Sequence, residues 1–142
     1  FEAFRPVKDS LNENEELCFI GHSLGPVFIL HLVEKYNLRL DSAIFVSPFL
    51  DKLNKIWQAD LVNMSFYRKD FDFKKLKSLI PTSYVLHSDN DPYVEINKSL
   101  MFAQKMESAK ILVKGAGHIN NKINYSLVYE LCKTRIKQIE QK

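Results

Sequence analysis

Four short apolar runs, Leu17–Ile20, Ala43–Ser47, Tyr84–His87 and Ile111–Val113, stand out from a chain that is elsewhere mixed or polar. Each run is continuous rather than alternating, the pattern of a parallel strand covered on both faces. Helical periodicity fills the intervals. Pro26–Tyr36 is a mostly apolar helix whose proline sits in the first turn, where a missing N–H costs nothing. Ile96, Leu100 and Ala103 recur at helical spacing, as do Val128, Leu131, Cys132, Ile136 and Ile139. Strand and helix alternate, which predicts a three-layer α/β fold around one parallel sheet.

Two regions depart from this rhythm. Phe1–Glu16 is polar and mixed, with Asn12–Glu15 reading as a loop. Phe49–Ile80 scatters Trp57, Met64, Phe66, Tyr67 and Phe71 among charges; Lys52–Gln58 and Phe73–Leu79 are read there as short helices joined by an irregular loop. In this architecture the insertion lies over the C-terminal edge of the sheet, so Trp57 and Phe66 are candidate substrate-binding residues, with plain core as the alternative.

With 142 residues the chain suits one domain, residues 1–142. Its 46% hydrophobic and 26% charged residues exclude a disordered or fibrous chain. No apolar run is long enough to span a bilayer, so no membrane role is expected. Cys18 and Cys132 lie in apolar segments away from metal-ligand spacing and read as buried thiols, which fits a reducing cytoplasm. The net charge of +3 is mild, and the basic run Arg68–Lys77 is broken by Asp70 and Asp72, which argues against nucleic acid as a partner. His31 and His87 have no partners at ligand spacing, are read as satisfied interior or interface histidines, and imply neither metal nor cofactor.

Chemistry concentrates where strands end. Gly21-His22-Ser23-Leu24-Gly25 is a G-x-S-x-G string between a strand and a helix, the context of a nucleophile elbow. The bare string arises by chance in roughly one chain in twenty of this length, so the flanking elements carry the weight. Glycines on either side are expected to relieve crowding of strand against helix. The turn presents Ser23 at a helix N-terminus, and the Leu24 backbone N–H is the expected oxyanion donor. His22 is read as packing or hydrogen-bonding beside the elbow rather than moving protons. A serine nucleophile needs a base and a group to orient it. His118 follows Gly115-Ala116-Gly117 after the last strand run, and Asp91 lies in Ser88–Val94 after the third, both on the edge that carries Ser23. All 4 glycines fall in the two loops this chemistry requires.

The chain resembles the small α/β-hydrolases of the YdeN type, the group that includes retinoblastoma-binding protein nine. The likeness rests on Gly21–Gly25, Ile44–Ser47, Phe66–Leu76, Ser88–Val94 and Gly117-His118. It implies an α/β-hydrolase fold and a triad of Ser23, Asp91 and His118, with Asp89 the alternative acid, acting on a small-molecule acyl substrate such as an ester. A non-catalytic interaction module on the same fold is the other reading. That family opens with a βαβ unit supplying a second oxyanion donor, and too few residues precede Leu17 to hold one. The expectation is therefore a chain lacking the N-terminal strands and weakly active or inactive by itself, with an exposed sheet edge through which a homo-oligomer could form.

Overall fold

Apolar runs this short bury both faces only by lying side by side in a sheet with helices above and below. The computed structural model of the chain describes residues 1–12, 15–55 and 57–141, and at 122–124 the backbone alone. Strands β1 (Cys18–His22), β2 (Ser42–Val46), β3 (Thr82–His87) and β4 (Ala109–Leu112) form one parallel sheet in that order. The helices are α1 (Arg5–Ser10), α2 (Gly25–Tyr36), α3 (Trp57–Asn63), α4 (Phe73–Leu79), α5 (Ile96–Met106) and α6 (Lys122–Glu140). Register pairs Ile20 with Ile44 and Ile44 with Tyr84, so β1, β2 and β3 end level with one another.

Helices α2, α4 and α5 share one face and enclose the larger core, where Val27, Leu30, Phe45, Leu76, Val85 and Phe102 are sealed from water. Phe45 and Phe102 meet edge to face at 4.9 Å, an aromatic geometry worth more than its area alone. Helix α6 covers the opposite face, where Val128, Leu131 and Cys132 pack on Ile44, Val46, Leu86 and Ile119. Its position is fixed by Arg135, whose Nε and Nη2 bind the two oxygens of the nearly buried Asp41 at 2.7 and 2.6 Å. The result is the three-layer α/β arrangement that the alternation predicts.

Four expectations need correction. The polar and mixed N-terminal stretch, for which no element was expected, holds a single 3-10 turn at Glu2–Phe4 that runs into α1. Phe1 and Phe4 seat it by stacking near Phe28, Phe19 and Tyr36. The loop read at Asn12–Glu15 falls partly on residues 13 and 14, outside the described residues. The helix read over Lys52–Gln58, which includes residue 56 outside them, starts instead at Trp57 and runs to Asn63. Its displacement has a cause, because the buried Asp60 carboxylate accepts from the backbone N–H groups of Leu53 and Asn54 at 2.8 Å and holds them in a turn. The outer strands are not covered on both faces: most of β4 is exposed, and Ile20 on β1 is 52% exposed. Cys18 is accordingly an exposed thiol and Cys132 a half-buried one. Finally, His87 is buried but its Nδ1 has no hydrogen-bond partner among the described residues, so it is an interior histidine that those residues leave unsatisfied.

Candidate active site

Because the strands are parallel and end in register, the loops that follow them gather on one rim. At the end of β1 the chain turns through Ser23, whose φ of 60° is left-handed, a conformation costing roughly 1–2 kcal/mol for a non-glycine residue. The Ser23 N–H still donates to the Val46 carbonyl at 2.8 Å, so the turn grows directly out of the sheet. Gly21 permits this closeness: a Cβ there would lie 2.7 Å from the Gly25 carbonyl carbon and the Pro26 nitrogen. At Gly25 an added Cβ would meet nothing within 4 Å, so the expected crowding holds on one side of the serine only. Leu24 is the N-cap of α2, and its N–H donates to no group among the described residues.

The loops after β3 and β4 are bound to each other side chain by side chain. Asp89 Oδ1 accepts from the Gly115 N–H at 2.8 Å, Ser88 Oγ from the Ala116 N–H at 3.0 Å and Asn90 Oδ1 from the Gly117 N–H at 2.8 Å. Ser88 Oγ also donates to Asn90 Oδ1 at 2.8 Å. Gly115 and Gly117 have φ of 65° and 58°, which turns their N–H groups toward these acceptors at no steric cost.

The last member of the series joins two side chains. Asp91 Oδ2 lies 2.8 Å from His118 Nδ1, while Asp91 Oδ1 accepts from the N–H groups of Tyr93 and Val94 at 2.9 and 3.0 Å. The side chains of His118 and Asp91 are only 10% and 2% exposed. A carboxylate only accepts, so His118 Nδ1 carries the hydrogen, which in a neutral ring leaves the lone pair on Nε2. Burial opposes the charge on Asp91, yet the bond from His118 and the two N–H groups outweigh it and hold the carboxyl below the usual carboxylate range. The aspartate that meets the histidine is thus Asp91, and Asp89 is spent on backbone.

The elbow meets this pair through His22, whose ring lies 4.5 Å from that of His118, while Tyr93 flanks His118 edge-on at 5.1 Å. Ser23 Oγ itself makes no hydrogen bond to His118 among the described residues; such bonds are often long before substrate arrives. A small cluster of Phe49, Leu53 and Val94, with Leu24 and Tyr67 against it, packs together residues from the elbow, the insertion and the acid loop. Of the two aromatics read as substrate-binding, Trp57 is 69% exposed at the start of α3, and Phe66 packs against the larger core beside Phe28 at 6.0 Å. Neither has a ring contact with His118 among the described residues. Sequence reasoning missed Ser88, Asn90 and Tyr93. The available signal was a run of side-chain acceptors, Ser-Asp-Asn-Asp, in one loop and glycine-rich free N–H groups in another.

Comparison with known proteins bears on the fold and the family. The B. subtilis ydeN gene product superposes with a TM-score of 0.81 at 24% identity, covering 96% of this chain and 73% of that one. The esterase domain of a Rhodothermus marinus protein gives 0.66 at 14% identity, with 96% and 66% covered. A carboxylesterase structure from Nitrososphaera gargenis gives 0.66 at 12%, with 96% and 71% covered. No curated protein matches the sequence. The fold is that of the α/β-hydrolases. A model of the serine hydrolase family matches residues 6–133, and the chain belongs to that family. Among the described residues no helix is long and apolar enough to cross a membrane.

Proposed function

We propose that the protein hydrolyses a small ester or related acyl bond through an acyl-enzyme on Ser23, with His118 as base and Asp91 as its orienting acid. The observation that carries this reading is the 2.8 Å contact of His118 Nδ1 with Asp91 Oδ2, on the rim where β1 delivers Ser23 in a left-handed turn. In the reaction His118 Nε2 takes the Ser23 proton as Oγ attacks the substrate carbonyl. The Leu24 N–H, which has no other acceptor among the described residues, and the N-terminal end of α2 hold the negative oxygen. His118 then gives the proton to the leaving group, the acyl group stays on Ser23, and a water activated by the same imidazole releases it as an acid. Asp91 remains ionised throughout. Trp57 and Phe66 are proposed to bound the substrate.

The test is labelling with a fluorophosphonate on the protein in the length its gene encodes. A mass increase localised to Ser23, absent from Ser23→Ala, is the expected result. An unlabelled wild-type protein with intact fold overturns the reading in favour of a binding module. A panel of short-chain esters, thioesters and amides then ranks the acyl bonds.

A further inference from the structure

Strand β1 ends on His22, a side chain for which the hydrolytic cycle has no task. Its Nε2 lies 2.8 Å from the backbone carbonyl oxygen of His118, a contact between residues 96 apart in the chain. A carbonyl oxygen only accepts, so Nε2 must carry the hydrogen whatever the charge of the ring. The ring planes stand at 61° with centroids 4.5 Å apart, so the imidazole at 22 also forms one wall beside the imidazole at 118.

We propose that His22 is a positioning residue: its Nε2–H grips the His118 carbonyl and fixes the base loop against the elbow, without itself taking up a proton in the cycle. The inference rests on the Ser23–His118 reading. It supplies what the 88–91 loop does not. Ser88, Asp89 and Asn90 secure the base loop to the end of β3, whereas His22 secures it to the strand that carries the nucleophile. Burial lowers the His22 pKa, the His118 charge lowers it further, and the carbonyl contact and Asp91 oppose this only in part. The net shift disfavours charge on His22 beside His118. His118 and Asp91 are the ionisable groups that act on it.

Two substitutions separate gripping from packing. His22→Phe keeps a ring and removes the donor; His22→Gln removes the ring and returns an N–H at similar reach. With p-nitrophenyl acetate as probe, His22→Phe is expected to lower kcat about tenfold, the worth of one neutral hydrogen bond, and to leave KM within about twofold. His22→Gln is expected to recover kcat to within about threefold of wild type. Unchanged kcat in the Phe variant, equal losses in both, or a change confined to KM overturns the proposal. Nitrogen-15 spectra of the unaltered protein decide without any variant: His22 should be the Nε2–H tautomer, and an Nδ1–H tautomer sinks the inference. Failure of the wild-type protein to label with fluorophosphonate removes the hydrolytic reading and this one with it. Normal labelling alongside an unaffected Phe variant removes only this one.

Discussion

The proposed nucleophile, Ser23, and the proposed base, His118, are held in opposite ways. The elbow is shaped by sterics among near neighbours: Gly21 lets strand meet helix at a distance that a Cβ would close to 2.7 Å, and Ser23 is left-handed because the chain must reverse into α2. The base loop is shaped by hydrogen bonds from residues 26 to 28 positions away, one from each of Ser88, Asp89, Asn90 and Asp91. A steric device is all or nothing and insensitive to pH. A polar clamp is graded, can be weakened one bond at a time, and contains an ionised group.

The comparison breaks most completely at Asp91. Asp91→Asn presents an amide that can donate to His118 and so stabilise the wrong tautomer, leaving Nε2 protonated and unable to accept from Ser23. The expected loss in kcat is about 10⁴-fold, read from steady-state ester hydrolysis. Asp89→Asn is the control, since an amide oxygen can still accept from Gly115; its kcat should stay within about tenfold of wild type. Equal losses would mean that the two aspartates share the role and that the geometry at His118 has been misread.

The elbow is tested next. Gly21→Ala places a methyl against backbone atoms that cannot rotate away, and the expected cost is about 3 kcal/mol in urea unfolding. Gly25→Ala meets open space in a helical first turn and should be neutral or stabilising by up to about 1 kcal/mol. A motif that treats its glycines alike does not anticipate this asymmetry.

The same contrast explains what could be read from the amino acids alone. The tight turn at Ser23 between β1 and α2 was legible because its cause is local: an apolar run, a G-x-S-x-G string and an apolar helix follow one another in the chain. Phe73–Leu79 was legible to the residue, with Asp72 accepting from the Lys75 N–H as an N-cap. The clamp was not, because its partners lie far apart and each is an ordinary turn residue by itself. Asp60 shows the same blindness. Nothing in a stretch rich in charges marks it as a buried acid taking two N–H groups and the Tyr67 hydroxyl, and the resulting turn moved a helix start from Lys52 to Trp57. Edge exposure at Ile20 and β4 was hidden for a related reason, since an apolar run does not state which strands will lie at the border.

Within the clamp, Asn90 is the joint, taking hydrogens from both Ser88 and Gly117 through one oxygen. Asn90→Ala leaves the Gly117 N–H without a partner and frees the loop one residue before the base. A loss of about tenfold in kcat is expected with KM nearly unchanged, and Asn90→Asp, which keeps the acceptor, should recover most of it. If KM rises instead, Asn90 contacts substrate and the clamp is not its function.

The smallest effect, and the one that separates the two devices by kind, is on stability against pH. The Asp91 carboxyl is held below its ordinary range, burial notwithstanding, by His118 and two N–H groups. A depressed pKa in the folded state stabilises the fold at pH values above the unfolded carboxyl value, about 4, and that contribution disappears as pH falls through the lower folded value. The unfolding free energy of wild type should therefore exceed that of Asp91→Asn at neutral pH and converge on it in acid. The gap between wild type and Gly21→Ala, which involves no titrating group, should instead stay constant over the same range. A wild-type to Asp91→Asn gap that does not narrow would show that the carboxylate is not held by its charge, and the distinction between a steric elbow and an electrostatic base loop would fall.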